Sequence, residues 1–379
     1  MRNIKFWDVV NCDALECLND LAIFLNKEFS QDGADKAWSQ EYFNWKLGNK
    51  NPAGKGYVSY ATSDDKIVGT ATLTKKRAIY NSQELVVGEV GDTYTLSDII
   101  RNGKPTSLSN LNSNPNSYVN RSVFGRLISE ITHRASIDGV SIIYGTPNKN
   151  SFAGYTKRLK FLNYKQYKNT INYRPSTQLL IKKYSILKPL SKIFFTLEVL
   201  LFTLQRAAYG LLYGKGIEAS VGVPDSDETN ILWKTIQPET GFSLVRDYEY
   251  WLHRYISHPL AKYRFINLRK NGSLVALVVV RELICSQGRR VASIVEWMSC
   301  KQISIGYLLS ETLSHIYKRE TDYYYYYSSA TDSMSLLSRG NFFFYNKEAP
   351  IIFLKNSLSE EICKNNKSFE FHLGSSDAA

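Results

Sequence analysis

The chain has 379 residues, 44% of them hydrophobic and 22% charged, with a formal net charge of +12. That length and composition exclude wholesale disorder and favour two cores over one. The charge points to anionic partners, a phosphorylated ligand or an anionic membrane face. With no Lys/Arg-rich run, zinc spacing or helix-turn-helix signature, nucleic acid is disfavoured.

In chain order, residues 12–30 carry Leu15, Leu18, Leu21, Ala22 and Leu25 at helical spacing and predict an amphipathic helix. Tyr57–Ala61 and Ile67–Thr74 read as two strands joined at Ser63-Asp64-Asp65-Lys66, and Leu85–Tyr94 as a third. Residues 101–117 are rich in Asn, Ser and Pro and predict a mobile loop. Val123, Leu127, Ile131 and Ala135 then predict a helix ended by Gly139. Val140–Tyr144 is a short apolar strand, Phe152–Leu159 a short helix, and Phe161 the start of an aromatic strand.

Residues 184–214 are strongly apolar, but Lys188, Lys192, Glu198 and Arg206 interrupt them, which argues against a membrane span. Two readings stay open: an interfacial helix on an anionic membrane, or a connector packed between domains. The second half repeats the order of the first. A hairpin of Leu274–Glu282 and Val291–Trp297 turns at Gly288, and a helix follows at Gly306–Lys318. Then come a strand at Asp322–Ser328, a short helix at Met334–Arg339 and a strand start at Phe342–Tyr345.

Five scattered cysteines (Cys12, Cys17, Cys285, Cys300, Cys363) without CxxC spacing suit a reducing cytoplasm. The first eight residues, Met1 to Asp8, lack an apolar signal core. The expected location is cytoplasmic, with a peripheral place at the inner membrane if residues 184–214 lie on lipid. His133, His315 and His372 have no partners at metal-ligand spacing, and no metal site is expected.

Four blocks carry the chemistry: Gly91-Asp92-Thr93-Tyr94, Tyr118 to Leu127, Ile143-Tyr144-Gly145-Thr146-Pro147-Asn148, and Ser151 to Phe161. In this order and spacing they resemble the GCN5-related N-acetyltransferase (GNAT) superfamily. More narrowly, they resemble tandem acyltransferase-like proteins of bacterial cell-surface polysaccharide pathways, whose Gly-Asp-Ser-Asp endings are similar to Phe371–Asp377. The resemblance implies an α/β fold of two tandem GNAT-like domains. Each has a mixed, mostly antiparallel central sheet flanked by helices, over 1–180 and 216–379, with an apolar connector helix at 181–215.

The resemblance also implies acetyl-CoA or another acyl-CoA as donor. A strand-to-helix junction offers bare N–H groups to its pyrophosphate, which makes Tyr118, Asn120, Arg121, Ser122, Val123, Phe124, Gly125 and Arg126 the expected donor-binding residues. The superfamily loop reads Arg/Gln-x-x-Gly-x-Gly/Ala. Here Ser122 and Phe124 stand at the two glycine positions. Asp92 is the expected proton acceptor, Glu89 a second carboxylate and Tyr155 a candidate acid. Thr93, Tyr94, Tyr144, Asn148 and Asn150 would contact the acceptor, because open α/β sheets bind ligands at strand ends.

In the second half Glu296 stands where Asp92 does. Trp251, His253, Arg254, Tyr255, His258 and Pro259 form an aromatic and basic cluster suited to sugar or phosphate. Tyr323–Tyr327 must send rings to both faces of its strand. The leading expectation is acyl-CoA-dependent N-acylation of a nucleotide- or lipid-linked amino sugar for envelope polysaccharide. Two rivals remain: a Fem-like aminoacyl transferase using aminoacyl-tRNA, and a non-catalytic membrane-associated binding module.

Overall fold

Pairs of residues in left-handed backbone set the hairpins. Asp64 and Asp65 (φ 49° and 57°) join the strands Tyr57–Ser63 and Lys66–Tyr80. Asn81 and Ser82 (φ 48° and 64°) join the latter to Gln83–Thr95. Positive φ at both central residues is what a two-residue hairpin with right-twisted strands requires, and Asp and Asn tolerate it. These strands run well beyond the sequence-predicted ones, because the second turn lies at 81–82.

The computed structural model describes residues 5–12, 17–29, 38–107, 114, 116–164, 170–238, 241–285, 287–328, 343–345 and 350–365. By contact it divides into two units. The first is 1–167 with 238–245 and 349–369; the second is 168–237 with 246–348 and 370–379.

The first unit holds a sheet in the order Gly103–Pro105, Lys5–Cys12, Tyr57–Ser63, Lys66–Tyr80, Gln83–Thr95, Ile142–Gly145, Ile352–Phe353 and Leu162–Asn163, with Phe242–Leu244 paired to Lys66–Tyr80. Gln83–Thr95 and Ile142–Gly145 run parallel, as do Lys5–Cys12 and Gly103–Pro105; the other pairs are antiparallel. The helix Val123–Ile137 makes the crossover between the first parallel pair. It buries Val123, Leu127, Ile131 and Ala135 against Ala71, Leu73, Val90 and Ile143. Gly139 follows at φ 81°.

The second unit repeats this scheme. Its sheet runs Phe343–Tyr345, Thr170–Pro175, Tyr323–Ser328, Arg290–Ser299, Ser273–Ile284, Arg264–Lys270 and Ile217–Val221. Arg290–Ser299 and Tyr323–Ser328 are the parallel pair, and Ile305–Ile316 is the crossover helix between them. Tyr324 and Tyr326 enter the core, whereas Tyr323 and Tyr325 are only half-buried, as a two-faced tyrosine run demands.

Three expectations are revised. Gly103–Pro105, expected in a mobile loop, forms a strand against Lys5–Trp7. The helix Ser191–Tyr213 belongs to the second unit, where Phe202 and Tyr209 join its core. The units are also not contiguous segments. Thr170–Pro175 pairs with Tyr323–Ser328 in the second sheet, and Ile352–Phe353 closes onto Ile142–Gly145 in the first. The expected helix at Met334–Arg339 and the ending at Phe371–Asp377 lie outside the described residues.

Phe353 is fully buried, with ring centroids 6.3 Å from Tyr144 and 5.7 Å from Tyr164. Phe353→Ala is expected to cost about 3–5 kcal/mol of unfolding free energy. Amide exchange should then accelerate first at Ile142–Gly145. Loss of protection starting in Tyr323–Ser328 instead would show that this strand does not close the first sheet.

Candidate functional site

Where the first sheet's parallel ladder ends, its chemistry begins. The last parallel pair is Val90 with Gly145. Beyond it, Asp92 and Thr93 together oppose Ala71, since Thr72 pairs with Gly91 and Thr70 with Tyr94. This bulge adds one residue and re-aims the side chains. Asp92 is held at φ 43°, a left-handed conformation costing roughly 1–3 kcal/mol for a residue with a side chain.

Local bonds offset that strain. Thr70 Oγ1 donates to the Asp92 carbonyl at 2.9 Å. Thr72 Oγ1 donates to Asp92 Oδ2 at 2.7 Å, and Lys46 Nζ reaches the same oxygen at 2.6 Å. Lys46 comes from the helix Gln40–Leu47, whose Ser39 cap accepts from Tyr42 N. Its side chain is only 2% exposed, so the ion pair is largely desolvated on the lysine side. Asp92 Oδ1 has no hydrogen-bond donor among the described residues.

Glu89 differs. It is 2% exposed and both oxygens are taken, Oε2 by Lys76 Nζ and Oε1 by Thr146 Oγ1 at 3.3 Å. Between the two ion pairs, Thr74 sits opposite Glu89 with its hydroxyl buried and without a partner among the described residues. The sheet face away from Val123–Ile137 carries Thr72, Thr74, Glu89 and Lys76 beside the apolar Val58, Val87 and Tyr144.

On the other side, Thr93 Oγ1 lies 3.4 Å from the Tyr155 hydroxyl. Tyr155 stands in a π-helical turn, Gly154–Arg158, and is 4% exposed. Burial pushes its phenol up to about 12, with the Thr93 contact opposing weakly. At neutral pH it stays a protonated phenol and is a poor proton donor. Tyr94 points elsewhere, its ring edge-on to Phe24 and Phe29 and its hydroxyl on Glu28 at 3.1 Å.

The expected donor loop is partly closed by its own side chains. Ser122 caps Val123–Ile137 by accepting from Gly125 N. Asn120 is fully buried and donates to the Asn114 carbonyl. Arg126 is committed to Asp8 at 3.2 Å and to the Ser107 carbonyl at 2.8 Å, so it is not a free phosphate ligand. Tyr118 packs on Gly125, whose added Cβ would meet its ring at 2.9 Å. Phe124 meets Tyr155 edge-on with centroids 5.0 Å apart and lies over Gly154, where a Cβ would meet it at 2.8 Å. Val123 N and Phe124 N keep no protein acceptor among the described residues, and Arg121 is exposed. An anion of phosphate type fits those two amides at the positive helix end.

Other expected contacts prove to be interior or self-satisfied. Tyr144 is 2% exposed and packs on Phe353. The Asn148 side chain caps the short helix Lys149–Ala153 through Asn150 N and Ser151 N, and Asn150 itself is exposed. In the second unit Trp251 is fully buried and donates to the Arg246 carbonyl, and Tyr255 and Arg254 are also buried. His258 Nδ1 accepts from Leu260 N and Ala261 N. These side chains form a core, not a sugar-stacking surface.

Glu296 repeats the position of Asp92 with the opposite outcome. The last parallel pair there is Ile294 with Tyr326, and the extra residue Val295 makes the bulge. Both carboxylates thus stand two residues past the end of the ladder. Glu296 Oε1 meets Arg246 Nε at 2.6 Å, while Oε2 accepts from Tyr250 at 2.7 Å and from Tyr255. Burial, reinforced by the Glu296 charge, holds both phenols far above the usual tyrosine range. The carboxylate is fully buried and saturated, and so is not open to an acceptor.

Two features escaped the sequence reading. Lys46 and Thr72 are distant from Asp92 in sequence and carry no motif. The second is Lys301-Gln302-Ile303-Ser304-Ile305-Gly306, which opens the helix Ile305–Ile316. Its Ser304 and Gly306 match the spacing of the superfamily's two glycine positions, so that spacing was a usable signal. Ser304 makes no side-chain cap, and Ile305, Gly306 and Tyr307 keep their N–H groups without protein acceptors among the described residues. No group of three or more His, Cys, Asp or Glu suited to a metal ion occurs among the described residues.

Two mixed sheets, each with a crossover helix and a bulge at the end of its parallel pair, make a tandem GNAT-like fold. Over 92% of its length the chain is similar to a GCN5-related N-acetyltransferase from Anabaena variabilis ATCC 29413, with a TM-score of 0.56, 10% identity and 72% of that chain covered. It is similar over the same share to Saccharomyces cerevisiae N-myristoyltransferase with bound myristoyl-CoA, with a TM-score of 0.55, 12% identity and 82% of that chain covered. A GCN5-related N-acetyltransferase from Kribbella flavida gives 0.52, 12% and 71%. At such identities the likeness establishes the fold. No protein-family model and no curated protein sequence matches the chain.

Breaking one side of the Lys46–Asp92 pair leaves the other charge uncompensated. Lys46→Met and Asp92→Asn should each lower unfolding free energy by about 3 kcal/mol, and the double variant by clearly less than their sum. Additive losses in denaturant titrations would show that the two charges do not interact. For Tyr155 the sign follows from its raised value. The stability its neutral phenol contributes is complete below pH 10, the ordinary tyrosine value, and is lost as pH rises through about 12. Tyr155→Phe should therefore flatten the fall in thermal midpoint over that window, and an unchanged slope would contradict the assignment.

Proposed function

We propose that the chain is an acyl-CoA-dependent N-acyltransferase acting on the amine of a nucleotide- or lipid-linked amino sugar, in the cytoplasmic assembly of bacterial envelope polysaccharide. The observation that carries this reading is Asp92. It is a strained carboxylate at the end of the parallel ladder, fixed through Oδ2 and open at Oδ1. The bound donor supplies an activated thioester. Every other task falls to the chain.

Val123 N and Phe124 N are suited to a phosphate oxygen, and the Lys301–Gly306 helix start offers a second amide cluster of the same kind. Asp92 Oδ1 takes the proton that an attacking ammonium must lose. Lys46 and Thr72 hold the carboxylate still while it does so, which is positioning rather than proton transfer. Thr74, Thr72 and the Glu89–Lys76 pair form a buried polar wall beside Asp92, with Thr72 and Glu89 already engaged within it. Glu89, with both oxygens occupied, serves this wall rather than the proton transfer. Tyr155 holds Thr93 in place from the opposite side.

A second reading is favoured by Phe124. A side chain at the second glycine position obstructs close approach of a pyrophosphate, and an aminoacyl-tRNA donor, attracted by the +12 charge, would not need that approach. Purification of the chain with bound tRNA would decide for it. A non-catalytic module predicts no turnover with either donor.

The direct test measures acetyl-CoA binding by calorimetry and CoA release with a panel of nucleotide-linked amino sugars. Asp92→Asn should lower kcat by about a hundredfold or more while donor affinity stays within a factor of about two. No heat at millimolar acetyl-CoA, or full turnover by the folded Asp92→Asn variant, would overturn the proposal.

A further inference from the structure

The helix Ser191–Tyr213 has two unlike faces. One face buries Phe202 and Tyr209 against the second sheet, and on it Glu198 accepts from Thr177 N and from Tyr317 at 3.2 Å. The other face carries Ile193, Leu197, Leu200, Leu204, Leu211 and Leu212, which are 47–87% exposed. These positions recur at three, four and seven residues and form one continuous stripe. The 23-residue helix extends it over about 34 Å. Monomeric proteins rarely leave an apolar surface of this continuity uncovered.

Charge is distributed around the stripe with one sign. Lys188 and Lys192 are exposed at its N-terminal end and Lys215 at its C-terminal end, and none of the three has a carboxylate partner among the described residues. The one acidic residue of the helix, Glu198, is turned inward as described. Arg206 is balanced by Glu311 at 2.7 Å. No helix among the described residues is long and apolar enough to cross a membrane.

We propose that this face docks in the plane of an anionic lipid bilayer, with the leucine stripe in the acyl boundary and the flanking lysines on phosphate headgroups. Apolar area and basic rims act together in such binding, and neither suffices alone. A second copy of the chain is the poorer occupant. Parallel pairing of two stripes sets each lysine cluster against its own image. Antiparallel pairing sets Lys188 and Lys192 against Lys215. Both arrangements bring like charges together, whereas anionic headgroups neutralise them.

The test is co-sedimentation of the full chain with large vesicles of phosphatidylcholine alone and of phosphatidylcholine mixed with phosphatidylglycerol. Binding is expected to the mixed vesicles only, and to weaken as salt is raised. A Leu200→Ser, Leu204→Ser, Leu211→Ser variant, and separately Lys188→Glu with Lys192→Glu, should each reduce partitioning by about tenfold or more. Because these side chains are exposed, the thermal midpoint should not fall, and an unchanged midpoint excludes misfolding as the cause. Absence of the chain from both vesicle pellets would overturn the proposal. So would a dimer in light scattering that the leucine variant dissolves while vesicles leave it intact, since the stripe would then belong to a second copy.

Discussion

The first unit depends on the place where a parallel ladder stops. Gln83–Thr95 and Ile142–Gly145 share hydrogen bonds as far as Val90 and Gly145, and then one extra residue enters the former strand. From there the two strands no longer need each other's backbone groups. A residue at the bulge can leave the regular alternation of faces, which is how Asp92 comes to meet Lys46 and Thr72. A strained φ of 43° would not persist if only solvent surrounded it. The buried ammonium and two threonine hydroxyls over-determine it, and the carboxylate gains a fixed direction from the same bonds that stabilise the turn.

The two units show what that arrangement permits by differing at one point. Asp92 and Glu296 occupy the same station, each two residues beyond the last parallel pair. Arg246, Tyr250 and Tyr255 saturate Glu296, so that its removal from water is complete and fully compensated. Asp92 has two donors on one oxygen and none on the other among the described residues. A buried charge with every lone pair matched is a structural element. The helix starts differ the other way. Phe124 occupies in the first unit the position where the second keeps Gly306. Both helix starts nevertheless keep amides without protein acceptors among the described residues.

Much of the fold was legible because it rests on local signals. Val123, Leu127, Ile131 and Ala135 announce the crossover helix, and Gly139 its end. Asp64-Asp65 marks a hairpin, and five consecutive tyrosines imply a two-faced strand. What stayed hidden depends on contacts distant in sequence. Nothing near Thr170 says that its strand pairs with Tyr323–Ser328, and nothing near Ile352 says that it closes the first sheet. Among site residues, Asp92 was found because it lies within a motif block. Lys46 was not, since its role exists only through a partner 46 residues away. Trp251 and Tyr144 misled for a related reason: an aromatic at a strand or helix end reads alike whether it faces a ligand or a core, and only packing decides.

The polar lining of the first sheet follows from the same geometry. Thr72, Thr74 and Lys76 alternate on one strand, and Glu89 and Gly91 on the next, so all five share one face, while Leu73 and Val90 point to the crossover helix. A sheet covered on both sides by apolar helices would carry apolar residues at all of these positions. The same face also carries the apolar Val58, Val87 and Tyr144, so polar and apolar groups mix there. The Thr74 hydroxyl, between two ion pairs, is buried and has no partner among the described residues. Leaving a buried hydroxyl unmatched costs about 1–3 kcal/mol. A fold built for stability alone would place valine there, since valine has nearly the same shape. Thr74 and the strained turn at Asp92 thus lie on one face of the strand pair, where the Lys46 and Lys76 ion pairs bracket the buried hydroxyl.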